Sequence, residues 1–156
     1  MTKLYLGVDP GISGGIGLLD HDGKIVLAER MPIMPSPVYG KHMVDGQRLY
    51  DTLNNATKNA MVACVIERVS AMPNQGVTSS FNFGVSYGIA AGILGALQIS
   101  HQFVLPRKWK GDMGLGADKD LSMGMAMRLW PTLKLLKKDD GIAEALLMAE
   151  WIRRKN

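Results

Sequence analysis

Four carboxylates are conspicuous for where they fall in the chain. Asp9 ends an apolar run, Leu4-Tyr5-Leu6-Gly7-Val8, and a glycine-rich turn, Pro10-Gly11-Ile12-Ser13-Gly14-Gly15, follows at once. Glu67 ends a second apolar run, Met61 to Ile66. Asp140 and Glu144 are four residues apart, a spacing that makes them neighbours on one face of a helix. Like charges so placed repel, and a helix N-terminus relieves Asp139 and Asp140 more than it relieves Glu144. A bound cation would relieve the pair far better. Oxygen donors without Cys or His favour Mg²⁺ or Mn²⁺ over zinc, and four carboxylates can hold two such ions about 4 Å apart. That arrangement suits hydrolysis of a phosphodiester. Each acid also has an ordinary explanation: turn chemistry at Asp9-Pro10-Gly11, an ion pair with a neighbouring cation at Glu67, a solvated face for Asp140 and Glu144. Convergence of all four on one place separates the two accounts.

The elements that must bring them together follow from pattern. Residues 3–9 are expected to form a buried strand, Ile16 to Asp20 a second, and Asp22-Gly23 a tight turn into a third, Lys24 to Arg30. The three make an antiparallel meander. Met31 to Gly40 carries three prolines and is expected to be an irregular loop. Asp45 can cap a helix running to about Asn59 with Leu49, Leu53 and Ala56 on its inner face. Met61 to Ile66 then forms a fully buried strand. A strand, a helical crossover and another strand imply parallel pairing, which puts Asp9 and Glu67 at neighbouring carboxyl ends, where open α/β sheets bind their ligands. After a polar loop, Phe81 to Gln98 is expected to be helical, with Gly84, Gly88 and Gly92 on one stripe. Each glycine costs a helix about 1 kcal/mol relative to alanine, so the stripe implies a close neighbour, either the sheet or a partner subunit. Phe103 to Leu105 is a short strand before the basic segment Pro106-Arg107-Lys108-Trp109-Lys110. A helix beginning near Asp118 places Met123, Met127 and Trp130 at helical spacing as core filler. The last helix carries Asp140 and Glu144 opposite an apolar stripe of Ile142, Ala145, Leu146 and Ala149.

Composition narrows the function. A chain of 156 residues with 47% hydrophobic and 21% charged residues is expected to fold as one domain over 1–156. The charge of +4 is mild, but 11 of the 18 Lys and Arg lie in residues 105–156, which suits a polyanionic partner such as a nucleic-acid backbone. One cysteine, Cys64, excludes a disulfide framework within the chain. No membrane span is expected, because Asn82, Ser86, Tyr87, Gln98 and several glycines interrupt the uncharged stretch from Val69 to Pro106. With no apolar signal core at the start, a cytoplasmic location is expected, in a bacterium or a phage-infected cell.

The residues also carry a resemblance. Val8-Asp9-Pro10-Gly11, Ile66-Glu67 and the run from Asp139 through Glu144 to Ala149 are similar to the acidic motifs of the RuvC family of Holliday junction resolvases. Phe83-Gly84-Val85-Ser86-Tyr87-Gly88 resembles that family's glycine-rich helix, and Pro106 to Lys110 its basic stretch. The four-residue spacing of the last two acids resembles the phage and chloroplast branch. The resemblance implies an α/β, ribonuclease H-like fold: a five-stranded mixed sheet, a three-strand antiparallel meander plus parallel strands, flanked by helices. It implies a Mg²⁺-dependent endonuclease that works as a homodimer on four-way DNA, with two ions held by Asp9, Glu67, Asp140 and Glu144. Asp139 would assist the metal or cap the helix. Lys110 and Lys119 match basic positions used by the family, and Arg107, Lys108 and Arg68 are further candidates for DNA contact. The sequence departs from bacterial members after the second acid, where they place an aromatic that can stack on an opened base. Here Met72 or Gln75 would have to wedge instead.

Two rival functions remain. A ribosomal RNA maturation nuclease would share the fold and the metals. An actin-like or sugar-kinase ATPase also opens on a strand-end Asp followed by glycines, but it needs two such domains around its nucleotide, so no nucleotide cofactor is expected here.

Overall fold

The computed structural model describes residues 1–37 and 42–156. In chain order the elements are β1 (Thr2–Asp9), β2 (Gly15–Leu19), β3 (Ile25–Arg30), β4 (Ile33–Pro35), β5 (His42–Val44), α1 (Gly46–Thr57) and β6 (Ala60–Glu67). There follow α2 (Val77–Ala96), β7 (His101–Val104), α3 (Pro106–Asp112), α4 (Lys119–Leu129) and α5 (Asp140–Arg154). Five strands form one sheet in the order β3-β2-β1-β6-β7. β1, β2 and β3 are antiparallel neighbours, as the turn at Asp22-Gly23 requires, with Gly23 at φ +82°. β1–β6 and β6–β7 are parallel, as their helical crossovers require. This is the mixed sheet flanked by helices of a ribonuclease H-like α/β fold.

Side chains alternate along a strand, so parity assigns each residue to a face. Leu4, Leu6, Val8, Ile16, Leu18, Cys64 and Ile66 pack under α1 and α2, against Leu49, Leu53, Ala90 and Leu94. Tyr5, Leu19 and Val65 pack on the opposite face against α5, with Trp109 and Trp130 in the same core. Gly7, Gly15 and Gly17 share the α5 face. A Cβ on Gly7 would lie 2.0 Å from the Ala145 carbonyl oxygen, one on Gly17 would lie 2.5 Å from the Leu146 nitrogen, and one on Gly15 would lie 2.7 Å from the Gly141 oxygen. Helix backbone therefore rests directly on strand backbone. The glycine-rich turn does less to make room for a ligand than its composition suggests: a Cβ at Gly14 would meet the Asp9 carbonyl oxygen at 2.1 Å, and only Gly11 has ordinary space.

Several expectations change. Ile33–Pro35 is not irregular but pairs antiparallel with His42–Val44 in a separate two-stranded ladder. Proline is tolerated there because it ends a strand with no other neighbour. The stretch Val38 to Lys41, within and just past the expected loop, lies outside the described residues. α2 starts at Val77, four residues earlier than expected, behind Gly76. β6 is buried only over Cys64–Glu67. β7 pairs with those residues alone, and Ala60 to Ala63 have no strand on that side. Met123 and Met125 pack on the core, whereas Met127 is exposed. The glycines of α2 do not face the sheet at all: a Cβ at Gly84, Gly88, Gly92 or Gly95 would meet nothing within 4 Å. Among the described residues no helix is long and apolar enough to cross a membrane.

Candidate active site

Parity and register bring the strand acids together. Asp9 has the parity of Tyr5 and Gly7, and Glu67 that of Val65, so both point to the α5 face. Val8 pairs with Ile66 in the parallel ladder, which leaves Asp9 and Glu67 at the next step of adjoining strands. Asp140 is the first residue of α5 and Glu144 sits one turn further on. The glycine seat under α5 lowers that turn onto the strand ends. All four acids line one cleft of about 390 Å³, together with Gly11, Phe83, Pro106 and Lys110.

Within the cleft the acids crowd one another. Burial is the main force that pushes the Asp9 carboxyl up to about 7; the charges of Glu67, Glu144 and Asp140 add to it, and the Gly11 N–H opposes it. Glu67 is also raised, chiefly by burial and further by Glu144, against the pull of Trp109 and Lys110. Two consecutive residues of α3 answer two of the acids. The Trp109 indole Nε1 donates to Glu67 Oε2 at 2.8 Å, and Lys110 Nζ donates to Glu144 Oε1 at 2.6 Å. Trp109 is fully buried, so its bond orients Glu67 away from solvent competition. Its role is not evident from sequence, where it reads as one aromatic in a basic segment. The available signal is the four-residue step from Trp109 to Met113, both of which are buried.

Four buried or half-buried carboxylates beside Lys110 are a donor set that suits hard divalent cations. No three of these acids bring donor atoms within 4.8 Å of one another, among the described residues. The trio that does is Asp20, His21 and Asp22, which could hold a divalent ion. It lies on the β2–β3 hairpin turn, where Asp20 Oδ1 already accepts from the Asp22 and Lys24 N–H groups at 2.9 Å each.

The remaining candidates divide. Asp139 is turned elsewhere: Oδ1 accepts from Arg30 Nε at 2.6 Å and Oδ2 from the Leu136 N–H at 2.8 Å, and its side chain makes no capping bond to α5. Arg30 holds its carboxyl below the usual range. Asp139 thus ties the start of α5 to the end of β3. Arg107 is exposed and lines a recess of about 430 Å³ that shares Pro106, Lys110 and Ala117 with the acid cleft. Lys108 instead pairs with Asp112 at 3.0 Å along α3. Arg68 is exposed beyond β6, its N–H bonded to the Val104 carbonyl. Met72 and Gln75 are the ends of one tight turn: the Gln75 N–H donates to the Met72 carbonyl, and Gln75 Oε1 accepts from the Met72 N–H at 3.0 Å. The Met72 side chain is left exposed while that of Gln75 is engaged. Lys119 begins α4, but its side chain lies outside the described residues.

The fold and the site define the class as ribonuclease H-like α/β, with acids at the carboxyl ends of the two central strands. Solved structures of the same architecture include Thermus thermophilus RuvC in complex with Holliday junction substrate. The similarity has a TM-score of 0.65 at 17% identity and covers 99% of this chain and 97% of that one. Another Thermus thermophilus RuvC structure has a TM-score of 0.61 at 14% identity, over 97% and 96%. No protein-family model matches the chain, and no curated protein matches it by sequence.

Proposed function

We propose that this chain is a metal-dependent endonuclease that resolves four-way DNA junctions. The observation that carries the reading is the convergence of Asp9, Glu67, Asp140 and Glu144, from two strands and a helix, on one cleft with Lys110. The architecture shared with the RuvC structures supports it, and one of those holds a Holliday junction.

The four acids would hold Mg²⁺, with Mn²⁺ as a substitute. Bound there, the ions would supply Lewis-acid charge for the phosphate and for activating water. The chain's own residues do the rest. Trp109 fixes Glu67 by its indole bond. Lys110 stands where the acid cleft meets the recess lined by Arg107, so its ammonium can receive a phosphate oxygen of the strand to be cut. Arg107 and Arg68 would extend the basic surface along a backbone path, and Lys119 is a further candidate for such contact. Met72, exposed on a turn whose Gln75 side chain is engaged, would be the wedge into an opened junction.

A homodimer fits the same reading, because two strands must be cut symmetrically. The outer face of α2 supports it. Phe81 is half exposed there, and a Cβ on any of the four glycines that follow it along the face would meet nothing within 4 Å. This is an uncharged surface on which another helix could approach closely.

The deciding experiment compares four-way, three-way, flap, linear duplex and RNA substrates in Mg²⁺. Symmetric nicks on four-way DNA that vanish in Asp9→Asn, with junction binding retained, are expected. Equal cutting of linear duplex, or full activity in the variant, overturns the reading.

A further inference from the structure

Between Glu67 and Asp118 the sequence holds a single acid, Asp112, near the end of the basic segment that begins at Pro106. A negative charge there works against a phosphate backbone. Asp112 lines neither the acid cleft nor the recess beside Arg107, so it is not placed to serve ions or substrate directly. Its partners account for it.

The carboxylate is held from three sides. Trp151 Nε1 donates to Oδ2 at 2.8 Å, Lys155 Nζ reaches the same oxygen at 3.2 Å, and Lys108 Nζ reaches Oδ1 at 3.0 Å. Lys108 and Lys155 are exposed, and exposed ion pairs contribute little. The indole is different. Trp151 is buried in the core that also holds Trp109 and Met113, and its N–H has Asp112 as its acceptor. That bond is the largest of the forces that hold the Asp112 carboxyl down to about 2.

Trp151 is seven residues past Glu144, two turns further along α5 and about 10 Å away by helix rise. α3 therefore meets α5 at two points: Lys110 on Glu144 at the cleft, and Asp112 on Trp151 beyond it. The first point uses a carboxylate assigned to the ions, and the second is independent of them. At seven residues α3 is too short to hold its shape alone. Its start is fixed by the chain leaving β7, and its end is fixed by Asp112. Just beyond, the chain turns back at Gly114, with φ +71°, and the Leu115 N–H donates to the Lys110 carbonyl at 2.7 Å.

We propose that Asp112 is a positioning residue for Lys110. By holding the end of α3 on Trp151, it keeps the Lys110 ammonium at the mouth of the cleft without relying on Glu144. The inference rests on the proposed nuclease function and adds a residue that acts on it from outside the cleft.

Two measurements test it. In the first, turnover of four-way junctions in Mg²⁺ is compared with junction affinity in Ca²⁺. Asp112→Ala is expected to lower kcat by about tenfold or more with affinity unchanged, and Trp151→Phe to do the same with Asp112 in place. Asp112→Asn keeps an oxygen for the indole and should stay within about threefold of wild type. In a Lys110→Met background, Asp112→Ala should cost less than about twofold, because the residue it positions is gone. Wild-type turnover in Asp112→Ala, no rescue by Asn, or an undiminished loss in the Lys110→Met background overturns the inference and leaves the nuclease function standing. Absence of cleavage by the wild-type chain overturns both. The second measurement needs no cleavage. Amide hydrogen exchange at Met113 and Leu115, whose N–H groups close the end of α3, should quicken by about tenfold or more in Asp112→Ala while β1 exchanges as in wild type. Unchanged exchange at those two sites, or equal quickening in β1, overturns the inference.

Discussion

Gly7, Gly15 and Gly17 lie beneath α5 with helix backbone where their side chains would be, whereas Gly84, Gly88 and Gly92 lie on the outer face of α2 with nothing within 4 Å. The two sets are alike in composition, and the four-residue period of the α2 set gives it the stronger pattern in sequence. Only the set beneath α5 has a structural role within the chain. It lets a helix settle onto two strands so closely that Asp140 and Glu144 reach the strand-end acids, and the raised pKa of Asp9 is one consequence. The α2 set lowers helix stability with no compensating contact inside one subunit, and the proposed homodimer would supply one.

The sharpest test of this contrast is Gly7→Ala. A methyl there meets main-chain atoms rather than a movable side chain, so the cost should lie at or above the upper end of the roughly 1–3 kcal/mol usual for overpacking. Urea unfolding measures it, and wild-type stability in that variant would show that α5 is not seated as closely as described.

Next in size is Asp9→Asn. Loss of this acid should lower cleavage by at least about a hundredfold, and it should also change stability in a way that depends on pH. The folded chain holds the Asp9 proton more tightly than the unfolded chain, since its pKa rises from 3.8 to about 7. The contribution of Asp9 is therefore fully present below the unfolded value and lost as pH rises through the folded one. In EDTA at pH 8 the Asn variant should be more stable than wild type, on the order of a few kcal/mol at most, and the gain should vanish below about pH 4. Thermal melts across that range check the sign.

Trp109→Phe should have a smaller effect. It removes a hydrogen bond to a carboxylate, worth roughly 1.5–3 kcal/mol, and with it a force that holds the Glu67 pKa down. The acid limb of the cleavage pH profile should move to higher pH. An unmoved limb would mean that the indole only packs.

Gly88→Ala with Gly92→Ala should disturb the subunit least, leaving its folding unchanged or improved by up to about 1 kcal/mol per site. If the outer face of α2 meets another copy, sedimentation should nonetheless show the dimer dissociating. A dimer that survives the double substitution would place the interface elsewhere.

Much of the site is legible in the sequence because strands and helices have fixed periods. The position of Asp9 and Glu67 at the ends of apolar runs, and the four-residue step from Asp140 to Glu144, are enough to suggest one mouth and one helix face. Asp139 shows where such reasoning stops. It is adjacent to a candidate ligand, yet its carboxylate is taken by Arg30, more than a hundred positions away in the chain. Trp109 shows the reverse, a residue with no role assigned from sequence that holds Glu67 through a fold contact 42 positions distant.

Local pattern alone determined the strands of the five-stranded sheet, the crossover that makes two of them parallel neighbours of the meander, and the four acids, but not the β4–β5 ladder. Periodicity and turn chemistry act between residues a few positions apart, so they can be read without a structure. Tertiary packing decided which glycines are filled by backbone and which face outward, and which cations answer which acids. It also decided that Asp112, the one acid of the basic segment, meets an indole of α5. Those outcomes depend on what arrives from distant parts of the chain.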